Sequence, residues 1–96
     1  MRNPIRYGNM VIDADAREIV INQIKVPLTV MEFDVLIFLA SNPNIAFTKE
    51  QIYEAAARDN YVDASYVIKD IVYRIRKKTG IKNIQTIYGY GYKFVP

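Results

Sequence analysis

Between Asp63 and Thr79 an amphipathic stretch carries Lys69, Arg74, Arg76, Lys77 and Lys78, and beyond Gly80 it runs into a glycine-punctuated aromatic hairpin, Gln85-Thr-Ile-Tyr-Gly-Tyr-Gly-Tyr-Lys-Phe94. A basic helix followed by a short two-stranded tip has the shape needed to fill a DNA major groove and to touch the neighbouring backbone or minor groove. Asp70 is the odd member of this stretch, because a carboxylate near phosphate weakens binding unless it is paired. It can accept from cytosine N4, position Arg74 four residues on, or form a solvated surface pair, and its spacing from Arg74 favours intrahelical pairing. Tyr66 and Tyr73 can donate to phosphate or stack on sugar, or cover the rim of the core.

The charge follows the same division. Residues 1–57 hold five bases against seven acids, a net of −2, whereas residues 58–96 hold eight bases against three acids, a net of +5. A positive field confined to one half is expected when one face of a protein meets a polyanion and the other does not.

Other chemistries find little support. The chain has no histidine and no cysteine, which removes the commonest general base, the thiol nucleophile and the usual transition-metal ligands. Gly89-Tyr-Gly-Tyr92 lies between two expected strands rather than opening a helix, so it does not cradle a dinucleotide phosphate, and Asp13 and Asp15 only flank a turn. No enzyme, cofactor or metal is expected. The longest apolar run, Val35 to Ala40, is too short to cross a bilayer, and the N-terminus lacks the apolar segment of a signal peptide, so the expected location is the cytoplasm, away from any membrane.

The elements that must position the basic helix can be read from local patterns in what is expected to be one domain, residues 1–96. Ile5 to Tyr7, Met10 to Ile12, Glu18 to Asn22 and Ile24 to Leu28 are β-branched runs broken by turn residues, which predict a four-stranded antiparallel meander. Thr29 and Glu32 then form a Thr-x-x-Glu capping box before a helix with Phe33, Leu36, Ile37 and Ala40 on one face, ending near Pro43. Thr48-Lys-Glu-Gln51 opens a second helix through about Ala57, with Ile45 to Phe47 extended between the two. In the third helix, about 63–79, Ile68, Ile71, Val72 and Ile75 form the buried stripe and Gly80 follows as the C′ residue. Strands near Ile84 to Tyr88 and Gly91 to Val95 close the chain, with Gly89 expected in a type II′ turn and Tyr92 and Phe94 facing the core. The expected class is α+β: a winged helix-turn-helix with an N-terminal four-stranded sheet, three helices and a C-terminal hairpin wing.

This order of elements, with Leu28-Thr-x-x-Glu-Phe, Asn42-Pro, Thr48-Lys-Glu-Gln, Arg74-Ile-Arg-Lys-Lys78 and Gln85-Thr-Ile-x-Gly-x-Gly-Tyr-x-Phe94, resembles the OmpR/PhoB-type winged-helix effector domain of bacterial two-component response regulators. The resemblance implies sequence-specific binding of double-stranded DNA for transcription regulation, with the third helix in the major groove and hairpin 84–95 as the wing. It implies pairs of otherwise monomeric domains on direct-repeat half-sites, and contact with RNA polymerase through loop 58–63. A phosphorylatable receiver domain is expected in the full-length protein. The chain begins one strand before the effector domain, so that receiver is either absent or left out. The alternatives are a one-component regulator of the ToxR kind and a winged helix used for protein contact, although the charges on the third helix argue against the last.

Carried over position by position, the resemblance makes Arg74 the first choice for a base-edge contact, to guanine O6 and N7, and Arg76 and Lys77 phosphate clamps. The expected DNA-facing set is completed by Tyr66, Val67, Lys69, Asp70 and Tyr73 on the third helix, Thr48 and Lys49 at the second, and Tyr88 and Tyr90 on the wing. Four positions depart from the family pattern: Tyr66 and Tyr88 stand where arginine is frequent, Ile71 where histidine is, and Ala57 near the place of a tryptophan. The expected consequences are an altered base preference and a shallower salt dependence than in a more basic member.

Overall fold

Four short strands open the computed structural model, which describes residues 3–56 and 64–96: β1 (Ile5–Tyr7), β2 (Met10–Asp13), β3 (Glu18–Ile21) and β4 (Ile24–Lys25). Each pairs antiparallel with its chain neighbour, in the order β1-β2-β3-β4. Local side-chain chemistry makes the turns. Asp13 Oδ1 accepts from the N–H groups of Asp15 and Ala16, both at 3.0 Å, closing one. Asn22 and Gln23, at φ 52° and 67°, form the tight step between β3 and β4. The fourth strand is shorter than its apolar run: Val26 still donates to the Ile19 carbonyl at 2.9 Å, but Pro27 has no N–H with which to continue the ladder.

Helix α1 (Val30–Ala40) begins at a complete capping box, the Thr29 hydroxyl accepting from Glu32 N–H at 3.2 Å and the Glu32 carboxylate accepting from Thr29 N–H at 2.9 Å. Its buried face is wider than the expected stripe. Phe33, Leu36 and Ala40 are buried and Ile37 is half-buried, while Val35 and Leu39 are fully buried as well. The helix packs against α2, α3 and β7 together, so more than one flank is covered.

The segment expected to be merely extended is a strand, β5 (Ala46–Thr48), running directly into α2 (Lys49–Ala56). Thr48 therefore ends a strand and caps a helix, its hydroxyl accepting from Gln51 N–H at 3.1 Å and Gln51 Oε1 accepting from Thr48 N–H at 2.9 Å. Helix α3 (Ala64–Thr79) follows, and the Gly80 N–H returns to the Arg76 carbonyl at 2.8 Å.

The last two strands, β6 (Ile84–Ile87) and β7 (Gly91–Phe94), form the expected hairpin, but within a three-stranded sheet of order β5-β7-β6. The turn also differs. Tyr90 N–H donates to the Ile87 carbonyl at 2.9 Å and Gly89, at φ 73°, is the third residue of that turn, which is the type II position rather than II′. Gly91 is dictated by close approach, because a Cβ there would lie 1.9 Å from the Phe47 carbonyl oxygen on β5. All three helices and both sheets feed one core, in which Ile12, Ile19, Leu36, Leu39, Ile52, Ile68, Ile75 and Phe94 are fully buried. Tyr92 and Phe94 face inward as expected.

Candidate nucleic-acid interface

From Val67 onward the residues of α3 divide by face. Ile68, Ile71, Val72 and Ile75 are buried, which anchors the helix from 68 to 75, while Lys69, Asp70, Tyr73, Arg74 and Lys77 are exposed. Isoleucine at position 71 thus joins the core stripe. A helix of this length spans about 24 Å, enough to lie along a major groove.

Two contacts order the exposed face. Arg74 bridges Asp70 at 3.1 Å one turn back, with side chains 57% and 48% exposed, so the intrahelical pairing favoured by the sequence spacing is formed. Lys77 Nζ sits 6.0 Å from the centre of the Tyr73 ring, and that tyrosine is 60% exposed. Val67 is half-buried and packs on the core, and the side chain of Tyr66 and loop 58–63 lie outside the described residues.

Two members of the basic run turn away from this face. Lys78 crosses to the start of α1, where its ammonium meets Glu32 Oε1 at 2.7 Å. Glu32 is 1% exposed. Burial pushes its carboxyl pKa up, but the Lys78 ammonium and the Thr29 N–H outweigh that and hold it below 4.5, its ordinary value. Among the described residues its second oxygen has no hydrogen-bond partner. Arg76 reaches β6, donating to the Ile84 carbonyl at 2.8 Å and to the Thr86 hydroxyl at 3.0 Å. Its guanidinium also faces the Tyr92 ring, whose hydroxyl pKa is raised by burial against the opposing pull of that charge.

The wing presents its tip to solvent. Tyr88 is 93% exposed and Tyr90 47%, on a turn fixed by Gly89. At the other side of the sheet Thr48 and Lys49 are half-buried at the start of α2, the Thr48 hydroxyl already engaged in the cap. Pairing of β5 with β7, at Phe47 and Tyr92, therefore ties the N-terminus of α2 to the wing, while the far strand of the wing is held by α3 through Arg76. Sequence patterns missed these ties: Arg76 lies eight and ten residues from its β6 partners, and Glu32 forty-six from Lys78, distances at which no local periodicity reports a contact.

A buried scaffold helix, a second helix capped from a strand, an exposed basic third helix and a β-hairpin beside it define a winged helix-turn-helix domain. Residues 23–94 match the family of C-terminal domains of transcriptional regulatory proteins, and the chain belongs to that family. It is 35% identical over 94 residues to the transcriptional regulatory protein YcbL of Bacillus subtilis, an alignment covering 93% of this chain and 42% of that protein. It is 34% identical over 86 residues to the transcriptional regulatory protein VxrB of Vibrio cholerae, covering 90% and 35%. The chain thus spans less than half the length of these relatives.

The structure superimposes on the Thermotoga maritima response regulator DrrB, an OmpR/PhoB homologue, with a TM-score of 0.89 at 29% identity over 99% of this chain and 45% of that one. The DNA-binding domain of Bacillus subtilis CssR gives 0.81 at 30% identity, covering 90% of this chain and 99% of that domain. The fold is the OmpR/PhoB-type effector fold. Its family is one of regulators, not an enzyme class. Among the described residues no helix is long and apolar enough to cross a membrane.

Proposed function

We propose that residues 1–96 form one sequence-specific double-stranded DNA-binding domain that regulates transcription as the effector part of a two-component response regulator. The observation that carries this is the face of α3, where Lys69, Tyr73, Arg74 and Lys77 stand exposed opposite an unbroken buried stripe and beside an aromatic wing. In this reading α3 lies in the major groove, Arg74 reads a guanine edge with Asp70 holding its fork, and Lys69 and Lys77 neutralise phosphates. Tyr66, Tyr73, Thr48 and Lys49 add contacts to the backbone, and Tyr88 and Tyr90 lie against the adjoining sugar-phosphate. Domains pair on direct-repeat half-sites in the cytoplasm, a receiver domain raises the local concentration of the pair, and loop 58–63 meets RNA polymerase. The relationship to the CssR domain, named for DNA binding, supports this reading.

A salt titration tests it. Affinity for random duplex is expected to fall steeply between low and physiological salt, and Lys77→Ala to lower affinity on every sequence while reducing the slope by about one unit. Affinity flat across the titration defeats the proposal.

A further inference from the structure

Arg76 stands in the basic run of α3, yet its guanidinium is directed at the protein's own sheet. Nη2 donates to the Ile84 carbonyl at 2.8 Å and to the Thr86 hydroxyl at 3.0 Å, and the guanidinium carbon lies 5.8 Å from the centre of the Tyr92 ring. These partners lie on both strands of the wing hairpin, so one side chain of α3 grips β6 and β7 together. The opposite edge of the sheet is equally constrained. Gly91 leaves no space between β7 and β5, and Thr48 carries β5 straight into the cap of α2. The sheet is thereby fastened to α2 along one edge and to α3 along the other, with the tyrosine tip projecting from it.

We propose that Arg76 is a positioning residue that sets the placement of the wing relative to α3, so that Tyr88 and Tyr90 reach the duplex in register with Arg74 and Lys77. The inference rests on the DNA-binding reading above and gives Arg76 a task distinct from clamping phosphate. Its planar fork matters for this task. A lysine retains the positive charge but supplies a single flexible ammonium in place of rigid guanidinium donors that meet a carbonyl and a hydroxyl while stacking near a ring.

The test uses the 96-residue chain with Arg76→Lys, Thr86→Val and the double variant, each measured for binding to one duplex across a salt series and, without DNA, for amide hydrogen exchange. Thr86→Val leaves every cation in place and removes only the acceptor on an exposed residue. Arg76→Lys is expected to weaken binding about tenfold, the scale of a charge-assisted hydrogen bond, with the salt slope unchanged because the charge remains. Thr86→Val should weaken it by a smaller factor, and the double variant should be no worse than Arg76→Lys, since both cut the same tie. Wing amides should exchange faster in Arg76→Lys while those of Val72 and Ile75 hold.

Wild-type affinity in Arg76→Lys overturns the proposal and leaves Arg76 a phosphate clamp or a spectator. Losses that multiply in the double variant overturn it too. If wild-type protein shows no salt-dependent binding, the DNA reading itself fails, and hydrogen exchange alone then decides: unchanged wing protection in Arg76→Lys rejects the positioning role, and faster exchange confined to the wing upholds it.

Discussion

The four-stranded meander and the three-stranded wing sheet are built by opposite means. In the meander every strand pairs with its neighbour in the chain, and two of its cations are paired with carboxylates of the protein itself: Arg17 meets Asp34 at 2.8 Å and lies over the Phe33 ring, and Lys25 meets Glu18 at 2.9 Å. In the wing sheet β5 comes from the middle of the chain to pair with β7 near its end, and the turn carries two tyrosines into solvent. The first sheet closes the core and pairs two of its cations at its own surface. The second couples both helices of the helix-turn-helix to a projecting tip, and its hairpin strands β6 and β7 lie in the half of the chain holding most of the positive charge. An apolar surface that seals a core can be assembled locally, whereas a binding surface with fixed geometry depends on contacts between distant segments.

The sharpest way to break this contrast is at Gly91. Gly91→Ala drives a methyl group into the Phe47 carbonyl and is expected to destabilise the protein by about 4 kcal/mol, read by chemical denaturation, because the neighbouring backbone cannot yield without unpairing β5 from β7. A loss under about 1 kcal/mol would show that the wing sheet is not rigidly fastened.

The buried pair comes next. Lys78→Ala leaves the Glu32 carboxylate buried with the Thr29 N–H as its remaining donor, and should lower stability by about 2 kcal/mol at neutral pH, less than for a wholly buried pair because Lys78 is partly exposed. The sign of the pH effect follows from the depressed Glu32 pKa. In the wild type this carboxylate stabilises the fold above the unfolded value near 4.5, and that contribution is lost as pH falls through the lower folded value. In Lys78→Ala burial dominates and the carboxyl pKa rises, so the deficit should shrink on acidification. A deficit that grows toward acid pH would contradict the assignment.

Legibility in the sequence divides along the same line. The meander, both capping boxes and the buried stripe of α3 rest on period-two alternation, i+3 spacing and i+4 spacing, all of which are local. The Asp70–Arg74 pair was readable for the same reason. The strand nature of 46–48 was not, since three residues of modest apolarity become a strand only when β7 lies alongside. Position 91 read as the first residue of the last strand, but why it must be glycine was not readable, since the cause is a carbonyl on a strand more than forty residues earlier. Arg76 and Lys78 could not be told apart from Lys77 by charge, and only the tertiary contacts show that they bond to other elements of the protein itself.

A smaller effect sharpens the picture of the tip. Tyr88→Arg adds a cation to an almost fully exposed position, so it should tighten duplex binding a few-fold and steepen the salt slope by about one unit, with greater preference for an A-tract beneath the wing. Wild-type protein already favouring the A-tract strongly would show that the tyrosines read groove width themselves.

The central claim is that α3 reads bases through Arg74, and the most direct measurement is the affinity of Arg74→Ala on the selected preferred duplex and on random duplex at one salt concentration. A bidentate contact exists only at the right base, so the loss is expected to be about 1 to 3 kcal/mol on the preferred site and much smaller on random DNA. Equal losses on the two duplexes would reduce Arg74 to a phosphate contact and contradict the account.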